Sequence, residues 1–276
     1  MKKRISAVFL TAVLTAALLA GCKQNVGSPE DNAVMDDQEN TEGDTEETEH
    51  VLGFSCSDLS NPFYTVLEEA LKSSLEEEGI RLIVQDARSD VDTQIQQVDE
   101  LIQQNVEAVF LCPAEWEKIT PALEALNDAG IPVINLDTEV KETDLVKAFI
   151  GSDNRNAGYV CGEDLVSRMP EGGRIIIIEN SGINSINERI TGFEEAILDG
   201  GFEVVCRIDA GSVNIGDTLR TLLEEEQINA VMCGNDVMAL QVLEVLEEAA
   251  DKEILVYSVD GSPDTKSALL DPDSPM

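Results

Sequence analysis

The chain has 276 residues, with 55 Asp plus Glu against 18 Lys plus Arg and a formal net charge of −37. That acidity excludes a reader of nucleic-acid backbones, which needs a basic face, and the single histidine, His50, excludes paired-histidine catalysis and multi-histidine metal sites. Hydrophobic residues at 43% supply a real core, while aromatics at 4% argue against stacking platforms for single strands.

Residues 1–22 read as an address. Lys2, Lys3 and Arg4 precede an apolar stretch, Ile5–Ala20, interrupted only by Ser6, Thr11 and Thr15. It is short for a spanning helix, which wants about 20 apolar residues, and its pattern is that of a secretory signal. Leu19-Ala20-Gly21-Cys22 resembles the bacterial lipobox. That resemblance implies cleavage before Cys22 and its lipidation, which would anchor the chain to the outer side of the cell membrane; an ordinary signal with a chance cysteine is the alternative. Residues 23–50 carry ten acidic side chains against Lys23 alone and almost no large apolar residues. Such a segment cannot offset its ordering entropy, so it is expected to be a disordered acidic tether.

With Cys22 assigned to lipid, five cysteines remain: Cys56, Cys112, Cys161, Cys206 and Cys233. An odd number cannot all pair internally, and no Cys-x-x-Cys or zinc spacing is present. All but Cys161 sit in or at the end of apolar runs, where a thiol behaves as a small hydrophobe. Free thiols are expected, and with them a reducing setting for an exported chain.

From residue 51 onward, apolar runs of strand length alternate with helical patterns. The expected strands are Val51–Cys56, Arg81–Gln85, Ala108–Cys112, Val133–Leu136, Val146–Ile150, Arg174–Glu179, Glu203–Ile208, Ala230–Cys233 and Ile254–Val259. Phe63–Glu78 places Val66, Leu67, Ala70, Leu71 and Leu75 on one helical face, and Thr93–Gln104 does the same with Ile95, Val98, Leu101 and Ile102. Gly79, Gly130 and Gly200-Gly201 stand where helices end. This rhythm means parallel sheets with right-handed crossovers, and near-continuous apolar strands such as Ile175–Ile178 fit sheets covered on both faces. The fold class is therefore α/β, with two doubly wound parallel-sheet lobes, residues 51–151 and 152–276, joined by a hinge.

Ligands of such sheets bind beyond the carboxyl ends of the strands. There the chain carries Ser60-Asn61-Pro62-Phe63-Tyr64, IPVINLDT (131–138), GSDNRNAGYVCGEDL (151–165), NERITGFEEAI (187–197), GNDVMALQVL (234–243) and VDGSPD (259–264). In order and spacing these segments resemble the sugar-binding proteins of bacterial ABC importers, with the ribose-binding-protein-like, type I periplasmic binding fold. The resemblance spans roughly 220 residues.

It implies a site. Asn61 would hydrogen-bond a ligand hydroxyl, and Phe63 and Tyr64 would sandwich a sugar ring. Asp137 would accept from paired hydroxyls, Asn187 would stand where ribose binders often carry an Arg, and Asn235 and Asp260 would supply the second lobe's amide and carboxylate. Amides and carboxylates together satisfy a polyol's donors and acceptors. Two departures matter: Thr138 stands where the family often has Arg, and Asn187 is uncharged. The expected site thus holds two carboxylates and no cation, with Arg189 and Asp236 supporting the fold. That disfavours anions and favours a neutral sugar or polyol. Asn61 and Asn187 have a competing role as helix caps, and Phe63 one as core.

The resemblance also implies a monomer that delivers to an ABC permease, with no nucleic-acid partner, no cofactor, no metal and no enzymatic step. A sensor subunit presenting the ligand to a histidine kinase or chemoreceptor is the alternative. Repressors with the same fold carry an N-terminal helix-turn-helix, where this chain has its signal-like segment. Family members continue past the position of Met276, so the chain is expected to be a fragment of a longer reading frame, with apolar surface left exposed on the first lobe.

Overall fold

A computed structural model describes residues 49–248, 253–271 and 274–276. The expected signal, the lipid site Cys22 and nearly all of the acidic tether lie outside the described residues.

The first half is a five-stranded parallel sheet of β1 (Val51–Cys56), β2 (Arg81–Asp86), β3 (Val109–Leu111), β4 (Val133–Leu136) and β5 (Ala148–Ile150), in the order β2-β1-β3-β4-β5. Its helices are α1 (Pro62–Glu76), α2 (Val91–Gln103) and α3 (Thr120–Asp128). The second half is a four-stranded parallel sheet of β6 (Gly173–Glu179), β7 (Phe202–Asp209), β8 (Ala230–Cys233) and β9 (Leu255–Tyr257), in the order β7-β6-β8-β9. With it come α4 (Asn154–Arg168), α5 (Asn184–Ile197), α6 (Ile215–Glu225), α7 (Asp236–Glu248) and α8 (Pro263–Leu270). In both sheets the order reverses beside the central strand, which opens a crevice at the carboxyl ends.

Side-chain caps set many of these boundaries. Asn61, Asp90, Asp153, Asn214 and Ser262 each accept a hydrogen bond from a backbone N–H in the first turn of the helix that follows. Gly79 and Gly130 close α1 and α3 with φ of +72° and +73°, where a side chain would be strained. The strand expected from Val146 begins only at Ala148, because Thr143–Leu145 forms a 3-10 turn and Val146 N–H donates to Thr143 O at 3.3 Å.

The second sheet holds the larger core. Ile175–Ile178 are fully buried between Leu165 and Phe193 on one side and helices such as α6, through Leu219, on the other. In the first sheet, Val98, Leu101, Leu123 and Leu126 of α2 and α3 pack on Val109, Leu111 and Val133. A smaller cluster of Phe54, Cys56, Tyr64, Cys112 and Leu136 lies toward the carboxyl ends. The apolar face read for α1 is only partly realised: Leu67, Leu71 and Leu75 are half-buried, whereas Val66 is 64% exposed and Tyr64 is the buried residue. Ile150 of β5 is also exposed. Cys56, Cys112, Cys161, Cys206 and Cys233 are free thiols, and burial pushes Cys56 up to about 12.

Candidate ligand-binding cleft

A cavity of about 270 Å³, its solvent-open part included, lies at the carboxyl ends of both sheets. Phe63, Tyr64 and Asp137 line it from the first sheet, and Ile183, Ser185, Ile186, Arg189, Asn235 and Asp260 from the second. The space actually free between these side chains is only about 20 Å³, room for about one water, so the cleft is nearly shut in this structure.

Asp137 follows β4 directly, with φ +63°, a conformation Asp tolerates better than most residues. Its turn is fastened by buried Asn135, whose Nδ2 donates to Leu111 O (3.1 Å) and Thr138 O (2.9 Å) and whose Oδ1 accepts from Val140 N–H (3.0 Å). Asp137 Oδ2 accepts from the Tyr64 hydroxyl at 2.9 Å and lies 3.2 Å from the Thr138 hydroxyl. Burial raises the Asp137 pKa despite those donors and the Arg189 charge. Burial, and then the Asp137 charge, pushes the Tyr64 phenol well up, so it stays a neutral donor.

Arg189 is the correction to the sequence reading. It is 6% exposed, donates through Nε to Asn154 Oδ1 (2.8 Å) and through Nη1 to Gly234 O (2.9 Å), and pairs with Asp260 Oδ1 at 2.9 Å. The cleft therefore contains a cation. The position expected to stand in for one, Asn187, instead donates to Ser181 O at 3.0 Å and does not line the cavity. Helical geometry explains the difference. Residues 185, 186 and 189 fall three and four apart on one face of α5, whereas 187 is about 200° away from 189. That periodicity groups these residues, but it does not say which face of α5 turns inward.

Asp260 has φ +129°, which strains any residue but glycine. Its loop is braced by buried Asp236, which accepts from the Ser258 hydroxyl and Ser262 N–H, both at 2.6 Å. Burial lifts Asp260 to about 6; Arg189 opposes the shift, while Asp236 and Asp137 add to it. Because the folded protein holds this proton more tightly than the unfolded chain, the group's contribution to stability is full below about pH 4 and falls away as pH rises to about 6.

Of the remaining expected residues, Asn235 lines the cavity while its Oδ1 accepts from Met238 N–H at 3.0 Å. Asn61 caps α1 by accepting from Phe63 N–H at 3.0 Å and does not line the cavity. Phe63 is 40% exposed and so is not core. Its ring meets Tyr64 edge to face, at 5.3 Å and 75°, so the two rings do not form parallel walls.

A larger hollow, about 950 Å³, lies among α4, β9 and α8. There Asp164 is already engaged by the Tyr257 hydroxyl and Arg168, and most of the lining is apolar. The smaller cleft interleaves acceptors (Asp137, Asp260) with donors (Arg189, Asn235) beside the Ser185 hydroxyl and an aromatic ring, which is the chemistry of hydroxyl recognition. Among the described residues no group of three or more His, Cys, Asp or Glu is placed to hold a metal ion.

A family model described as a periplasmic binding protein domain matches residues 52–276. The ribose import binding protein of Bacillus subtilis (strain 168) is 30% identical over 227 residues, covering 81% of this chain and 73% of that protein. Among solved structures, a galactofuranose binding protein matches with a TM-score of 0.76 at 25% identity, over 82% of this chain and 81% of that one. The binding protein of the arabinose ABC transporter from Shewanella sp. ANA-3, bound to L-arabinofuranose, matches with a TM-score of 0.74 at 27% identity, over 81% and 78% of the two chains.

Proposed function

This chain belongs to the periplasmic binding protein domain family, in its type I sugar-binding branch, and from that premise we propose that it captures a small neutral sugar or polyol between two lobes, residues 51–151 and 152–276, for import by an ABC permease. The observation that carries this reading is the convergence on one cleft of Asp137 from one lobe with Arg189, Asn235 and Asp260 from the other, a set of donors and acceptors matched to hydroxyls. We assign ligand contact to Phe63, Tyr64, Asp137, Ser185, Arg189, Asn235 and Asp260, and leave Asn61 and Asn187 to the helix and turn they fasten. The relatives' ligands are ribose, galactofuranose and arabinofuranose, all uncharged. Family membership implies a place outside the cytoplasm; lipidation of Cys22 would hold the chain at the membrane there.

Calorimetric titration against neutral aldoses, alditols and inositols, with sugar phosphates as controls, tests the reading. At least one neutral solute is expected to bind and the phosphates are not. Arg189 is already paired with Asp260, so an added anion meets a cleft of net negative charge. No binding by any neutral member, or tighter binding of a phosphate, would overturn the assignment.

The raised Asp260 pKa adds a pH dependence. Ligand hydroxyls donate more strongly to the carboxylate than to the protonated acid, so binding favours release of a proton wherever the free site holds one. The groups facing Asp260 are Arg189, Asp236 and Asp137. Affinity is expected to be level above about pH 7 and to weaken below about pH 6, by at most roughly tenfold per pH unit for one proton. A Kd unchanged between pH 5 and pH 8 would show that Asp260 does not accept from the ligand.

A further inference from the structure

We propose that the Thr138–Ser185 hydroxyl pair is a latch that holds the two lobes together. This rests on the two-lobe reading above. Thr138 follows Asp137 in the first lobe and is fully buried; Ser185 lies in the first turn of α5 in the second lobe and is 4% exposed. Their hydroxyl oxygens are 2.7 Å apart. The ion pair of the cleft, Arg189 with Asp260, joins two residues of the same lobe and cannot hold the lobes to each other. Among the described residues the hydrogen bonds that cross are neutral, this hydroxyl pair and the Trp116 N–H donated to Gly182 O at 2.9 Å, alongside the longer-range attraction of Arg189 for Asp137.

Each hydroxyl has a single proton to give. Thr138 Oγ1 also lies 3.2 Å from Asp137 Oδ2, and a buried carboxylate favours whichever order supplies it with a donor. The order that satisfies every group runs from Ser185 to Thr138 and from Thr138 to Asp137 Oδ2. Tyr64 gives that same oxygen a second donor at 2.9 Å, which leaves Oδ1 for the cleft. With the lobes apart, Thr138 loses the donor that completes this chain. Its bond to Asp137 lies within the first lobe and survives opening, so the Ser185–Thr138 bond is the part of the chain that senses whether the lobes have met.

The Trp116 amide reads this contact without any ligand, because its own hydrogen bond crosses the same boundary. A net hydroxyl bond shifts a two-state equilibrium by about fivefold to tenfold. In sugar-free protein, Trp116 amide exchange measured by NMR is expected to be faster by that factor in Thr138→Val and Ser185→Ala. Thr138→Ser, which keeps the hydroxyl, is expected to exchange as the wild type does. The amides of Ile176–Ile178, in the centre of the second sheet, should keep their protection in all three. Trp116 exchange equal to wild type in both variants, with core protection intact, overturns the latch. Should Thr138→Val lose core protection, Ser185→Ala decides alone, since alanine fits where serine does. If no sugar binds but Trp116 responds as stated, the transport reading fails and the latch stands.

Discussion

Replacing Arg189 with Met is expected to lower stability by about 3–5 kcal/mol at pH 7.5 and to remove sugar binding. Arg189 is buried and contacts Asp260, Asn154 Oδ1 and Gly234 O. Methionine fills much of the same space but leaves the Asp260 carboxylate without its cation and two acceptors without their donor. The size of the effect should depend on pH in a definite direction. Arg189 holds the Asp260 pKa down against burial and two neighbouring carboxylates, yet it still stands at about 6. Without the guanidinium it rises further. A raised carboxyl contributes fully below its unfolded value near 4 and loses that contribution as pH climbs to the folded value. In the variant this loss continues above pH 6, where the wild type has levelled off. Urea unfolding at pH 5.5 and pH 7.5 should therefore show a gap between the two proteins that widens with pH. A gap below about 1 kcal/mol, or one equal at both pH values, would mean the pair is not buried as described.

Gly158→Ala is expected to be nearly as damaging, although alanine is the better helix former by about 1 kcal/mol. A Cβ built at Gly158 falls 1.7 Å from Arg189 O and 2.5 Å from Arg189 C, main-chain atoms that cannot swing aside. Gly192 makes the reciprocal contact, its Cβ position lying 1.8 Å from Arg155 O. The two glycines let α4 and α5 touch backbone to backbone. That approach brings Asn154 of α4 within reach of Arg189 of α5. A methyl group there separates the helices and withdraws Arg189 from Asp260. The expected cost is about 3 kcal/mol, a fall in Tm of roughly 6–12 °C at this chain length, with affinity reduced more than a hundredfold. Gly216→Ala in α6 is the control, because its Cβ would meet only the movable end of Arg220 at 3.3 Å and the Asn214 and Val245 side chains beyond. It should leave Tm and affinity nearly unchanged. Equal Tm values for the two alanine variants would show that the α4–α5 contact has room to spare.

Much of this architecture was legible in the residues. Runs such as Ile175–Ile178 and Ala230–Cys233 are apolar at every position, and only strands buried on both faces read that way. Their order, with a helical segment between most neighbours, fixed parallel pairing. Asp137 follows β4 directly and Asp260 lies three residues beyond β9, where a parallel sheet collects its ligand contacts, but it is the resemblance to the sugar-binding family that singles these two out. What was missed lay where one dimension does not determine the third. Arg189 and Asn187 are two positions apart, and only the orientation of α5 against β6 decides which of them faces the cleft. Asn61 was an ambiguous cap from the start, since the atom that caps a helix is the atom that would otherwise accept from a ligand. The bond from Thr138 to Ser185 joins residues 47 apart, and no local pattern announces it.

Hydrogen–deuterium exchange with and without the tightest-binding neutral sugar tests the central claim most directly, because it shows where on the chain the solute is held. Slowed exchange is expected in the segments 61–64, 135–138, 183–189, 234–236 and 258–262, and in the amide of Trp116 as the lobes close. Slowing confined to the hollow near Val160, Tyr257 and Met276, or none anywhere at saturating sugar, would contradict capture in this cleft.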